Sequence, residues 1–276
     1  MRFFRRARLP VFSSLQTRIR TTTGRKPLAR PLEDRVALVT GASRGIGAAL
    51  CVALAERGAH VIAVARSIDG LSKLHEAAGA QGGGLTPVPL DLANANAIAR
   101  LAGTIEEHHR RLDILVGNAG VPGPNVPVEL ATPADWAEVL AINLTANWHL
   151  IRCMHPLLKR SDAGRAVFIS SSAVRQARAQ RGLYAASKAG LESLVRAYAA
   201  GNADTPLRIN LFNPGPIRTQ MRATVAPDED PMSLDTPQQC ASQLVELCLS
   251  SFQDTGKLYD YPARGYMAFS PPSVPV

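Results

Sequence analysis

From Arg35 onward the chain alternates short apolar runs, rich in β-branched residues, with longer segments whose apolar positions recur at helical spacing. The short runs are Val36–Thr40, 61–65, 85–90, Ile114–Gly117, 166–170 and 208–212. Each is apolar at successive rather than alternate positions, the pattern of parallel strands buried on both faces. Helical patterns fill 45–57, 68–78, 94–109, 133–160 and 183–200. Gly58 closes the first of these, and a glycine-rich turn over 79–84 follows the second. Strand–helix alternation of this kind predicts one α/β domain, a Rossmann-like doubly wound parallel sheet with helices on both faces. Two stretches follow neither pattern. One is 219–237, acidic at Asp228, Glu229 and Asp230, which is expected to order on binding as a lid. The other is the proline-rich end from Pro262.

Composition narrows the function classes. The 276 residues are 46% hydrophobic and 19% charged, enough to bury a core and too apolar for a disordered chain. No apolar run is long enough to span a membrane, so no membrane partner is expected. The formal charge is +9, but residues 1–30 hold nine of the 31 Lys and Arg and none of the 22 acids. The rest of the chain is balanced, 22 bases against 22 acids, so no nucleic-acid-binding face is expected. The predicted organisation is a basic extension over 1–31, a folded domain over 32–260 and a tail over 261–276. The extension reads as a mitochondrial transit peptide, as a disordered segment, or as translation from an upstream start. Location follows as cytoplasmic, or as mitochondrial matrix if residues 1–30 are a transit peptide. Cys51, Cys153, Cys240 and Cys248 form no CxxC pair and have no histidine at ligand spacing. They read as buried thiols in a reducing compartment, with no metal site.

Candidate chemistry begins at the first strand–helix junction. Thr40-Gly41-Ala42-Ser43-Arg44-Gly45-Ile46-Gly47 follows the first strand and opens the first helix. Its glycines permit a tight turn, and the helix start offers free N–H groups to a pyrophosphate. Where many dinucleotide folds carry an acid for the ribose hydroxyls, the second strand here ends in Ala65-Arg66. Arg66 with Arg44 suits a 2′-phosphate, so NADP(H) is expected as preferred cofactor, with NAD(H) as the alternative. Tyr184 and Lys188 are four residues apart on a predicted helix and share a face. A cation near a phenol lowers its pKa, which makes Tyr184 a candidate general acid/base.

Together these landmarks resemble the short-chain dehydrogenase/reductase family over residues 32–256. The glycine turn is similar to the family's TGxxxGxG. Gly117-Asn118-Ala119-Gly120 is similar to its NNAG, with glycine at the first position. Tyr184 and Lys188 match its YxxxK, and Asn213 to Thr219 matches its PG segment. The resemblance implies an oxidoreductase that interconverts a carbonyl and a secondary alcohol, with a small-molecule substrate and a homodimeric or homotetrameric assembly. It implies catalytic roles for Asn143, Ser171, Tyr184 and Lys188. Ser171 would steady the substrate oxygen, Tyr184 would exchange its proton, and Lys188 would hold the nicotinamide ribose and lower the Tyr184 pKa. Asn143 would bend the long helix and hold a relay water. For the cofactor, the resemblance implies contacts from Gly41, Ser43, Arg44, Gly45, Ile46, Gly47, Arg66, Asp91 and Leu92. Asn118, Ala119, Gly120, Tyr184, Lys188, Pro214, Gly215, Ile217 and Thr219 complete that set. The loop before Tyr184 carries Arg175, Arg178 and Arg181. Their charge suggests, as alternative, a 3-oxoacyl thioester reductase of the same family. A non-catalytic NAD(P)-binding sensor or scaffold is the other class, and it would not need the Asn143, Ser171, Tyr184 and Lys188 set.

Overall fold

The computed structural model describes residues 30–79, 84–176 and 178–267. The basic extension up to residue 29 and the tail beyond 267 lie outside these. Seven strands run parallel: β1 (Val36–Thr40), β2 (His60–Ala65), β3 (Gly84–Pro89), β4 (Ile114–Gly117), β5 (Arg165–Ile169), β6 (Arg208–Asn213) and β7 (Leu258–Asp260). An eighth, β8 (Gly265–Met267), pairs antiparallel with β7. The order is β3-β2-β1-β4-β5-β6-β7-β8, so the chain reverses direction across the sheet between β1 and β4. In open α/β sheets, ligands bind in the crevice beyond the strand C-termini at such a switch.

The helices are α1 (Gly45–Glu56), α2 (Ile68–Gly79), α3 (Ala95–His109), α4 (Pro133–Leu140), α5 (Ala146–Leu158), α6 (Gly182–Ala200), α7 (Gln220–Val225) and α8 (Pro237–Glu246). Successive residues of β1 enter opposite cores. Ala37 and Val39 pack with Leu50 and Leu54 of α1, Leu71 of α2 and Leu244 of α8. Val36 and Leu38 pack with Ile98 of α3, Leu150 of α5 and Leu191 of α6. Strands with both faces covered have to be apolar throughout, which is why their sequence shows no alternation.

Two features depart from the sequence expectation. The helix read over 133–160 is interrupted by one π-helical turn, Ala141–Thr145, between α4 and α5. The stretch 219–237 is not wholly irregular, since it holds α7 and a 3-10 turn. Thr219 caps α7, Asp230 caps a 3-10 turn over Pro231–Ser233, and the Arg218 amide donates to the Asp235 carbonyl at 3.0 Å. The sheet also continues past residue 260. Tyr261 is buried, and β8 places Tyr266 edge-on against Tyr259 of β7, ring centres 5.3 Å apart.

Buried polar groups tie the sheet ends together. The Asp113 carboxylate, just before β4, accepts from the Val36 amide at 2.9 Å, the Ser161 hydroxyl at 2.6 Å and the Arg111 Nε at 3.1 Å. The guanidinium of Arg165 donates to the carbonyls of Gly164, Leu249 and Ser250. Burial pulls its pKa down to about 10, a cost those carbonyls offset.

Candidate active site

A cavity of about 1010 Å³ opens at the switch point. Its first wall is the glycine turn. Gly41 and Gly45 hold positive φ, +67° and +58°, a backbone that L side chains rarely adopt. A Cβ on Gly47 would meet the Gly41 carbonyl oxygen at 2.4 Å and Asn118 Nδ2 at 2.5 Å. The turn is clamped to the segment after β4. Asn118 Nδ2 donates to the carbonyls of Thr40 at 2.8 Å and Gly41 at 3.3 Å. The Thr40 hydroxyl accepts from the amides of Asn118 and Ala119 at 3.0 and 3.1 Å. Thus the two motifs, 77 residues apart, form one rigid floor. The start of α1 has no acidic residue and no side-chain cap, so its first N–H groups face the cavity unanswered.

The cavity is also lined by Arg44, Arg66, Asp91 and Leu92. Arg44 and Arg66 are both exposed. Arg44 is not idle, since its Nη1 donates to Gln220 Oε1 across the cleft at 2.5 Å. Asp69 opens α2 and does not line the cavity. Pro214, Gly215, Ile217 and Thr219, after β6, line the same cavity, and a Cβ at Gly45 would meet Thr219 Cγ2 at 3.3 Å. Ser43 and Gly120 also line the cavity.

Of the residues expected to act in chemistry, Ser171, Tyr184 and Lys188 line the cavity. The Ser171 hydroxyl, which accepts from the Ala173 amide at 3.2 Å, lies on the same cavity wall as Tyr184. Ser170, the preceding residue, also lines the cavity, but its hydroxyl donates to the buried carboxylate of Glu192 at 2.5 Å. The choice between adjacent serines is therefore made by that bond. Burial raises the Tyr184 pKa above its ordinary value, opposed by the nearby Ser171 hydroxyl and by the charge of Arg181. The expectation that Lys188 lowers it is not met here. Lys188 is itself buried, its pKa is pulled down to about 8, and its Nζ donates to the Ile169 carbonyl at 2.7 Å. The cation that opposes the Tyr184 shift is Arg181, whose guanidinium carbon lies 4.9 Å from the ring centre.

Asn143 sits behind the cavity wall, in the π-helical turn. Its Oδ1 accepts from the Val121 amide at 2.8 Å, and its Nδ2 donates to the Val121 carbonyl and to Ser187 Oγ, each at 3.0 Å. Those bonds fix the chain just past Gly120 against α6, one residue from Lys188. A second network, which sequence reasoning missed, runs beneath the site. Arg175 contacts Glu192 at 3.5 Å and Asp260 at 3.6 Å. Asp260 in turn accepts from Asn213 Nδ2 at 2.9 Å, and Asn213 Oδ1 accepts from the Gly215 amide at 3.2 Å. The segment bearing Ser171 is thereby tied to the one bearing Gly215. No motif spacing signals this, because its members come from four separate segments.

Comparison with known proteins agrees with the geometry. The family model for short chain dehydrogenase matches residues 35–230. The chain belongs to the short-chain dehydrogenase family. It is accordingly an oxidoreductase. Its relatives include the oxidoreductase YciK of Escherichia coli K12, 40% identical over 75% of this chain and 82% of that one. The 3-oxoacyl-[acyl-carrier-protein] reductase FabG of Vibrio harveyi is 32% identical over 78% of this chain and 90% of its own. A short chain dehydrogenase of Shigella flexneri, solved as a complex with NADP, superposes with a TM-score of 0.81. It is 37% identical, over 85% of this chain and 100% of that one. Among the described residues, no helix is long and apolar enough to cross a membrane, and no group of three His, Cys, Asp or Glu could hold a metal ion.

Proposed function

We propose that the protein is an NADP(H)-dependent oxidoreductase that interconverts a carbonyl and a secondary alcohol, with Tyr184 as general acid/base. The observation that carries this reading is that Ser171, Tyr184 and Lys188 line the same cavity that the glycine turn opens onto. The cavity suits a dinucleotide on its own terms. The backbone at Gly41 and Gly47 leaves no room for side chains, and the α1 N–H groups are free for a pyrophosphate. Arg44 and Arg66, which line the cavity, would take a 2′-phosphate, and the NADP complex of the Shigella relative supports that choice. Gly45, Ile46, Asn118, Ala119 and Gly215 would flank the cofactor, which when bound supplies or accepts the hydride.

The chain's own residues handle the proton. A raised pKa keeps the Tyr184 phenol protonated at neutral pH, the form needed to donate to a carbonyl oxygen as it gains negative charge. The Ser171 hydroxyl would hold the same oxygen. In the reverse direction Tyr184 accepts the alcohol proton, and Ser171 and Arg181 stabilise the phenolate left transiently by donation. Lys188 would hold the nicotinamide ribose, and Asn143 would position the Val121 backbone and any relay water. Self-association as a homodimer or homotetramer belongs to this reading, supported by exposed Trp136 on α4 and Trp148 on α5. A cytoplasmic location belongs to it too, supported by the bacterial relatives. The second reading, reduction of a 3-oxoacyl thioester, is favoured by the Vibrio relative.

The test is NADPH oxidation against a panel of ketones and a 3-oxoacyl thioester, for wild type and Tyr184→Phe. Loss of the acid/base is expected to lower kcat by about 100-fold or more. Turnover that survives Y184F undiminished would exclude Tyr184 from the proton transfer.

A further inference from the structure

The part of the cavity around Tyr184 holds a positive charge that no anion among the described residues answers. Arg181 immediately precedes α6 and lies over the face of the Tyr184 ring. Its Nη1 is buried with no hydrogen-bond partner, and none of the ion pairs among the described residues includes it. Burial disfavours its charge, and the nearby Arg178 and Arg222 disfavour it further. A desolvated, unpaired guanidinium is costly, and the ring face offsets only part of that cost.

The neighbouring arginines show how selective the vacancy is. Arg222 also lines the cavity, but Glu229 grips it with two bonds, Nε to Oε2 at 2.5 Å and Nη2 to Oε1 at 2.6 Å. Arg175 has turned out of the cavity toward Glu192 and Asp260. Arg178 lines the rim, exposed to solvent. Only Arg181 combines desolvation, contact with the candidate acid/base and the lack of an anion.

We propose that Arg181 binds a carboxylate of the substrate, and that the protein acts on small oxo- or hydroxy-acids. This rests on the carbonyl–alcohol reading and adds the substrate class to it. The guanidinium fork matches a carboxylate in shape and charge, and Arg178 adds attraction at the rim. Position decides between anions. A group that touches a guanidinium 4.9 Å from the Tyr184 ring centre is within a few bonds of the carbon reacting at the Tyr184 hydroxyl. An oxo-acid satisfies this. The phosphodiester of an acyl-phosphopantetheine is separated from its keto group by a long arm and does not.

The experiment uses the full chain saturated with NADP+, a state in which an oxo compound binds without turnover. Pyruvate, acetoacetate, levulinate, their methyl esters and S-acetoacetyl phosphopantetheine are titrated by calorimetry into wild type, Arg181→Gln and Arg181→Lys. In wild type, at least one acid is expected to bind about tenfold or more tighter than its ester. That ratio should collapse toward one in R181Q and be partly kept in R181K. Because acid and ester are compared in the same variant, a general loss of folding or of Tyr184 geometry cancels. No acid preference in any pair, a preference that survives R181Q, or tighter binding of the phosphopantetheine thioester than of every acid would each overturn the proposal. Failure to bind NADP+ at all would remove the oxidoreductase reading, and this one with it. NADP+ binding without acid preference would remove only this one.

Discussion

Lys188 Nζ donates a 2.7 Å hydrogen bond to the carbonyl oxygen of Ile169, the last residue of β5, while lying 5.9 Å from the centre of the Tyr184 ring. The lysine four residues after the tyrosine is therefore bonded to the strand that leads to Ser171.

This has a measurable consequence for stability. Burial pulls the Lys188 pKa down to about 8, whereas an unfolded lysine titrates near 10.4. Between about pH 8 and pH 10 the folded protein holds Lys188 neutral and the unfolded chain holds it charged. Unfolding then takes up a proton, so stability contributed at this site rises with pH across that window. The Tyr184 shift is upward from 10, so its effect begins only above the window, where stability falls as pH rises. Urea denaturation of wild type and Lys188→Met at pH 7.5, 8.5 and 9.5 (about one unit apart, spanning the transition) isolates the lysine. Wild type should gain stability relative to the variant as pH rises. A constant difference would mean that Lys188 remains charged.

The glycine turn makes a sharper prediction. A Cβ at residue 47 would lie 2.4 Å from the Gly41 carbonyl oxygen, a backbone atom that cannot swing aside. The same Cβ would strike Asn118 Nδ2, which holds the turn to the segment after β4. Gly47→Ala should therefore destabilise the fold by about 1–3 kcal/mol, the range for forced overpacking, and weaken NADPH binding by more than that loss explains. Denaturant midpoints and NADPH titration, read on the same preparation, separate the two. Wild-type affinity in G47A would show that the turn has slack the geometry denies it.

These arguments also show what the sequence could and could not disclose. The six strands through residue 212 and the five long helices were legible because burial on both sheet faces forces continuous apolar runs. The last two strands have three residues each, Leu258–Asp260 and Gly265–Met267, too short for any periodicity to register. A signal for α8 was present and passed over: Thr236, Pro237 and Gln239 form a capping box, ahead of buried Cys240, Ala241 and Leu244. At the site, local motifs disclosed the glycine turn, Tyr184 and Lys188. They could not disclose how Lys188 points, or that Arg181 rather than Arg175 faces Tyr184. Both depend on loop conformation and on the distant acids Glu192 and Asp260.

Arg44 and Arg66 were read together as a 2′-phosphate site, and the structure separates their parts. Arg66 follows β2 as an exposed residue on the cavity wall, and among the described residues no hydrogen bond or ion pair engages its guanidinium. Arg44 already has a partner in Gln220, at the start of α7 on the opposite bank of the cleft. If a 2′-phosphate draws Arg44, the bond to Gln220 has to be given up, and binding is weakened by that amount. Arg66→Ala should then raise the Kd for NADPH by about tenfold or more while leaving NADH nearly unchanged. Gln220→Ala should tighten NADPH slightly, since Arg44 starts free, and Arg44→Ala should remove that gain. Fluorescence titration of both cofactors against the three variants reads each term. If Q220A weakens NADPH instead, Arg44 serves by bridging the cleft over the bound cofactor, and the phosphate specificity belongs to Arg66 alone.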